Sequence, residues 1–555
     1  MLIELVNKEE PGSWVRIIVA AAISGMANAA TLALVNSAAR SGEQAGLATF
    51  ALFLAAVVAF LLGLRYSVGR TSRNIESALC RMRIELANWI RRAELLGLEQ
   101  IGTAEIYERL TEQTSILSSS AWPLALGLQG AVMLACTIFY LAVVSLNLLL
   151  ITLGVYALAA LYHVNRQPRM RRILHDAAGT RMRLFGLLND FIDGFKEVRL
   201  RTQRSDALHA EFGRVATSLK DTTVASNLLS QENFVFGQVL QLSLMGAAVF
   251  VLPQFTETDT HATMASISAL LLILAPLSHV LYAVPAYERA DLAAENIVQL
   301  QQRLQESASK ETTLTTDAWA GQPFSEMRLS ELEFRRLDAN GQEVFAVGPI
   351  SLTIRAGEIV FLVGGNGSGK TTLLRTITTL YPPTAGTLSI NGVTILPHNR
   401  QAYREMITAI FSDFHLFRKL YGIANGSSAE LRSLLEKFQL SQKTQLIDDE
   451  WKTIDLSTGQ RKRLAMVTAL LEDRPIYVFD EWAADQDPEF RQYFYEVLLQ
   501  DLKGRGKTVI AISHDDRYFS CADQVVTLDY GKLSSIKSHR LPKAVDIALA
   551  DAAKM

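Results

Sequence analysis

The octapeptide Gly364–Thr371 constrains this chain more than any other stretch. Its residues, Gly364, Gly365, Asn366, Gly367, Ser368, Gly369, Lys370 and Thr371, fit the pattern G-x-x-x-x-G-K-[ST] at every fixed position. The apolar run Glu358–Val363 before it predicts a buried strand, and Thr372–Thr378 after it predicts a helix start. Glycines let a strand-to-helix turn point its N–H groups inward, and the helix N-terminus adds a positive dipole end. That arrangement holds phosphate oxygens. Lys370 is expected to reach the β- and γ-phosphates of a nucleoside triphosphate and Thr371 to sit on Mg²⁺, with Thr372 in the same nucleotide-binding set.

One loop does not account for 555 residues, too many for a single ordinary domain. Mean hydropathy is +0.17 although 20% of the residues are charged. The apolar residues are therefore segregated. They lie in long runs before about residue 285, whereas the chain after them reads as an α/β protein. A net charge of −2 gives no footprint for a nucleic-acid partner. Cys80, Cys136 and Cys521 have neither metal-ligand spacing nor the pattern of a disulfide framework.

Six apolar segments, Val15–Val35, Leu47–Leu64, Trp122–Val144, Leu146–His163, Phe234–Leu252 and Met264–Val284, are each near the ~20 residues that cross a bilayer as a helix. The segment between the second and third holds Arg65, Arg70, Arg73, Arg81, Arg83, Arg91, Arg92 and Arg109. The segment between the fourth and fifth includes Arg166, Arg169, Arg171, Arg172, Arg181 and Arg183. Basic residues mark cytoplasmic connections, so both termini are expected in the cytoplasm. The arginine runs are read as a solvated face and a topology signal, not as a ligand site. Both inner segments look helical, so the spans should extend well beyond the membrane as paired helices. Their turns, Gln100–Tyr107 and Asp193–Arg199, suit docking to a cytoplasmic motor, with Phe195 as the anchor.

Four further motifs follow the glycine-rich loop in a fixed order. Leu456–Gln460 precedes a predicted helix, Arg461–Leu471, and its Ser457, Gly459 and Gln460 are candidate phosphate binders. Ile476–Glu481 is an apolar strand ending in two carboxylates. Asp480 can hold Mg²⁺ through water, and Glu481 can orient or deprotonate an attacking water. Ala484–Asp487 comes next, and Val509–His514 is a strand ending in a histidine that can bond both the γ-phosphate and Glu481. Glu481, His514 and Lys370 are thus the expected catalytic set, with Thr371 and Asp480 at the metal.

With these motifs the chain resembles an ABC exporter half-transporter. The resemblance implies an α-helical six-span domain of the type I exporter kind fused to an α/β P-loop ABC ATPase domain, hydrolysing ATP with Mg²⁺. The expected organisation is a membrane domain 1–305, a linker 306–326, a nucleotide-binding domain 327–540 and a tail 541–555. In this family the signature turn binds the γ-phosphate of ATP held by the opposite domain, which implies a homodimer with two live sites. Phe411–Phe417, Asp480–Pro488 and Ser513–Asp516 look like the bacterial cyclic-peptide exporters. That group includes exporters of lasso-peptide microcins, pyoverdine-type siderophores and syringomycin-type lipopeptides.

Three positions depart from the family pattern. Ser412, followed by Asp413, stands where a glutamine usually links motor to membrane helices and ligates Mg²⁺; Asp413 or water is left to substitute. Arg336 stands where an aromatic usually stacks on adenine, with Phe345 as the alternative. Thr458 replaces the usual second glycine of the signature. The expected function is ATP-driven export of a cyclic or amphipathic peptide or siderophore precursor across the bacterial inner membrane. A lipid flippase and an ATP-gated channel or regulator are the alternatives. Expected cargo contacts are Asn28, Gln129, Gln238, Gln241, His279 and Tyr282, since polar groups in membrane helices face protein or a cavity.

Overall fold

The structure, a computed structural model, describes residues 13–41, 46–144, 146–251, 260–308, 322–338, 341–423 and 428–539. Most of the expected linker and the tail 541–555 lie outside the described residues. Two compact units divide the chain. One is Met1–Ala93 with Gly97–Ser307; the other is Glu94–Leu96 with Ala308–Met555.

The first unit is helical. Its long helices are α1 (Ser13–Ser41), α2 (Leu47–Arg92), α5 (Thr114–Val144), α6 (Leu146–Asp193), α8 (Thr202–Gly246) and α9 (Thr260–Glu306). Short helices α3 (Leu95–Ile101), α4 (Thr103–Glu108) and α7 (Phe195–Leu200) form the turns where docking pieces are expected. Among the described residues, five apolar helices are long enough to cross a membrane: Val15–Val35, Leu47–Arg92, Thr103–Ala142, Leu149–Asp193 and Thr202–Val251. The sixth expected span, Met264–Val284, lies within α9; side chains 261–267 are outside the described residues.

At ~1.5 Å per residue, α2 is about 69 Å long, more than twice the ~30 Å hydrocarbon core. Its two halves differ accordingly. Leu47, Phe50 and Leu61 are exposed apolar residues suited to lipid. Beyond them, Ile75, Leu79, Met82 and Leu86 recur at helical spacing and are buried against Ala290, Ala294, Ile297 and Leu304 of α9. Helices α6 and α8 run together beyond their apolar halves, joined by Arg166–Glu232 at 2.6 Å and Arg183–Glu211 at 2.9 Å. Tyr162 also stacks on Phe236.

The second unit holds two main sheets and a short hairpin of β7 (Leu446–Ile447) and β8 (Glu450–Trp451). Strands β1 (Glu326–Leu337), β2 (Glu343–Arg355), β4 (Ala385–Ile390) and β5 (Val393–Thr394) form an antiparallel sheet in the order β2-β1-β4-β5. The larger sheet takes β3 (Ile359–Val363), β6 (Ile407–Ile410), β9 (Ile476–Asp480), β10 (Thr508–Ile512), β11 (Gln524–Asp529) and β12 (Lys532–Ser538) in the order β12-β11-β3-β10-β9-β6. Strands β3, β9 and β10 are buried along their whole length, as a parallel sheet covered on both faces requires. Alternation then sends Phe361, Phe479 and Val509 into one core and Leu362, Val478 and Ile510 into the other. Glu94 is counted with this unit, and its carboxylate pairs with the buried Arg400 at 3.0 Å.

Candidate functional site

Strands β3, β10 and β9 are parallel neighbours, and their C-terminal ends carry the glycine-rich loop, His514 and Asp480–Glu481 in turn. In open α/β sheets that edge is where ligands bind. The loop enters helix α10 (Lys370–Ile377) through Gly369, in the left-handed region at φ 95°; helices α11 (Arg400–Arg404) and α12 (Ser428–Lys437) follow it along the chain. Two glycines there are required by space as well as by φ. A Cβ on Gly364 would lie 2.2 Å from Leu528 O, and one on Gly369 would lie 2.7 Å from Val347 Cγ2.

Lys370 is 5% exposed and its Nζ donates to Gly364 O at 3.0 Å and Gly365 O at 2.9 Å. Burial pushes its pKa below the ordinary lysine value, while Glu481 and Asp480 oppose the shift. An ammonium held this way gains most from an added anion. The Ser368 hydroxyl is buried with no hydrogen-bond partner among the described residues. A cradle that a Cβ would fill, an unpartnered hydroxyl and a desolvated ammonium fit a chain of phosphates.

Beside the loop, Thr371 Oγ1 lies 3.2 Å from both carboxylate oxygens of Asp480. Ser412 Oγ donates to Asp480 Oδ2 at 3.0 Å and its backbone N–H to the same oxygen at 3.4 Å. Asp480 is 1% exposed; burial raises its pKa, and the Ser412 and Thr371 hydrogen bonds pull it back. This cluster of oxygen donors fits Mg²⁺, which Thr371 and Asp480 would hold. A magnesium ion bound there would neutralise charge building on the β- and γ-phosphates.

Glu481 leaves β9 in the left-handed region at φ 50°. Its Oε1 is 2.9 Å from His514 Nε2, so carboxylate and imidazole are already paired. The backbone turn at Glu481 is pinned from behind. Lys462, almost fully buried on helix α13 (Thr458–Glu472), donates to Glu481 O at 2.8 Å and pairs with Asp485 at 2.7 Å. The motif reading overlooks Lys462. The signal is a lysine two residues past Gln460, on a helix whose partner is set only by tertiary packing. Helix α13 also starts earlier than expected. Ser457 caps it, its Oγ accepting from Gln460 N while Gln460 Oε1 accepts from Ser457 N. Ser457 and Thr458 are exposed, and a Cβ on Gly459 would lie 2.9 Å from Asp485 O.

The ABC transporter family pattern matches residues 347–484. The chain aligns along its length with a solved bacterial Atm1-family ABC exporter with ATP bound. The TM-score is 0.77 over 99% of this chain and 98% of that one, at 16% identity, a likeness of fold. ATP-binding protein SyrD of Pseudomonas syringae pv. syringae is 30% identical over 95% of this chain and 97% of its own length.

The chain belongs to the ABC exporters. Its ATPase domain hydrolyses ATP in step with transport. An ATP-dependent lipid A-core flippase of Burkholderia orbicola is also similar, at 26% identity over 68% of this chain and 63% of that protein.

Within an ABC exporter, the departures from pattern acquire a geometry. Ser412 spends its hydroxyl on Asp480, as above. Asp413 is committed elsewhere, its carboxylate 2.8 Å from Arg375 NH2 on the loop's own helix. Arg336 and Phe345 lie opposite each other in the β1–β2 register, hence on one face of the sheet. A Cβ on Gly369 would lie 3.3 Å from Phe345 Cζ, so the aromatic ring is beside the phosphate loop. The sequence favours Arg336 as the base platform; the structure gives Phe345 a place against the loop. Phe345→Ala is expected to raise the KM for ATP about tenfold with kcat little changed. Stacking supplies ~1–3 kcal/mol and acts equally on ground and transition states. A larger KM effect from Arg336→Ala would return the platform to the arginine.

In the helical unit the expected cargo residues separate. Gln241 is fully buried; its Oε1 accepts from Tyr156 OH at 2.9 Å and its Nε2 donates to Leu270 O at 2.7 Å. Gln129, also buried, donates to Ser24 Oγ, which donates to Phe60 O. Both act as interhelical bonds. Gln238 donates to Ser278 Oγ at 3.1 Å, and His279 and Asn28 are half-buried. Tyr282 is 57% exposed and stacks on Phe234. Phe195, the expected coupling anchor, is 61% exposed at the start of α7.

Proposed function

We propose that this ABC exporter works as a homodimer and moves an amphipathic peptide, cyclic, lipidated or a siderophore precursor, across the bacterial inner membrane. Both termini are then cytoplasmic, as the arginine-rich inner segments favour. The observation that carries the cargo reading is the neutrality of the spans. Of the six apolar segments only the first carries Lys, Arg, Asp or Glu, and that residue is Arg16, near its start. A headgroup with several phosphates would call for a basic ring inside the bundle. Asn28, Gln238, His279 and Tyr282 offer instead neutral hydrogen bonds and an aromatic face, which suit peptide amides and apolar side chains.

The assigned ATP machinery is Lys370 and the loop on the phosphates, Thr371 and Asp480 at Mg²⁺, Glu481 as base and His514 as its partner. Ser457 and Gly459 serve the second protomer's nucleotide. Coupling runs through the Ser412 segment and the exposed Phe195. Similarity to proteins named lipid A-core flippases supports a second reading, lipid transport.

The two readings are separated by the ATPase rate of the full chain in lipid vesicles, titrated with cyclic lipopeptides, siderophore peptides and lipid A. Saturable stimulation by a peptide and none by lipid A is expected. Stimulation by lipid A alone would replace the peptide with a lipid.

A further inference from the structure

Three of the arginines that mark topology also line a groove in the helical unit. The groove lies between α1 and α2 and has a volume of about 650 Å³. Ile23 and Leu62 lie at its apolar part, and Arg65, Tyr66, Arg70 and Arg73 at its basic part. The change of character follows the axis of α2. Leu62, Tyr66, Arg70 and Arg73 fall at spacings of four, four and three, hence on one helical stripe. Counting from Leu47 at ~1.5 Å per residue, Arg65 lies about 27 Å along the helix and Arg73 about 39 Å. The stripe therefore turns basic where a ~30 Å hydrocarbon core ends and headgroups begin. The helices approach closely at the groove: a Cβ on Gly63 would lie 2.9 Å from Ala20 O. Neither Arg65 nor Arg73 has an ion pair among the described residues, and both are exposed.

We propose that this groove binds one anionic phospholipid of the cytoplasmic leaflet, its phosphate against Arg65, Arg70 and Arg73 and an acyl chain along Ile23 and Leu62. Charge complementarity decides the occupant. Three guanidiniums at headgroup depth match a phosphodiester that keeps its negative charge, and basic pockets between membrane helices bind such headgroups. The leaflet rests on the orientation proposed above; the site itself does not. It is separate from cargo transport, since the lipid is a bound component of the α1–α2 pair.

Native mass spectrometry of the detergent-purified full chain tests this, using phosphatidylglycerol and phosphatidylcholine with identical acyl chains. The wild type is expected to retain phosphatidylglycerol selectively. Arg65→Gln with Arg73→Gln should weaken that binding about 25-fold, at about fivefold per arginine, and leave phosphatidylcholine unchanged. Arg169→Gln with Arg172→Gln, exposed arginines on α6, should retain the wild-type preference. Ile23→Trp, which fills the groove and keeps every arginine, should also lose phosphatidylglycerol. Inorganic phosphate should not displace the lipid; displacement would make this a phosphate site and overturn the proposal. Equal retention in the groove and control variants, as when a second copy of the chain covers the groove, would overturn it too. Equal binding of the two lipids by the wild type would do the same.

Discussion

Glu481→Gln is expected to keep ATP binding and lose hydrolysis by a factor of about 10²–10⁴, the usual contribution of a positioned general base. The amide keeps the size of the carboxylate and its reach to His514, 2.9 Å away in the native pair. It cannot accept a proton from water. The left-handed turn at Glu481 and its hold by Lys462 are backbone features, so the variant should fold normally. With hydrolysis blocked, the two domains of a homodimer should stay closed on nucleotide. Denaturing the purified variant after ATP exposure should release one ATP per chain from particles of twice the chain mass. Turnover within a few-fold of wild type would remove Glu481 from the role of base. Trapped ATP on single chains would remove the homodimer.

Lys370→Ala should be as damaging by a different route, lowering ATPase by about 10²–10³ and weakening ATP binding as well. Losing one preorganised donor at the reacting charge costs about that much. The buried Nζ already lies against the carbonyls of Gly364 and Gly365, inside the glycine-rich loop. Its desolvation makes it a stronger partner for an anion than a surface lysine. Steady-state ATPase together with nucleotide-binding titration separates the two variants: Glu481→Gln loses rate alone, Lys370→Ala loses rate and affinity. Near-normal turnover in Lys370→Ala would mean that the glycine-rich loop does not hold ATP.

The sequence discloses the loop, the strand-end carboxylates and His514 because their chemistry demands fixed local order. Each sits within a residue or two of a strand or helix end that apolar patterning locates. Long-range pairings are less legible. Arg336 and Phe345 become neighbours only through a hairpin register, and nothing local shows Phe345 reaching Gly369. Lys462 looks like a helix-surface lysine until α13 packs behind Glu481. In the membrane half, apolar length locates spans without saying which face of a helix meets a neighbour. Gln129 and Gln241 therefore look like cavity residues, although packing uses both as interhelical bonds. The continuation of α2 beyond its apolar half is readable because Ile75, Leu79, Met82 and Leu86 keep helical spacing past the apolar run.

ATP-driven accumulation of a stimulating peptide in inside-out vesicles tests the central claim most directly. The wild-type chain should concentrate the peptide only with ATP and Mg²⁺, and Glu481→Gln should fail to do so while still binding ATP. Concentration against a gradient by wild type alone is the predicted result. Equal peptide entry in both proteins, stopping at equilibrium, would contradict it and describe an ATP-gated passage instead of a pump.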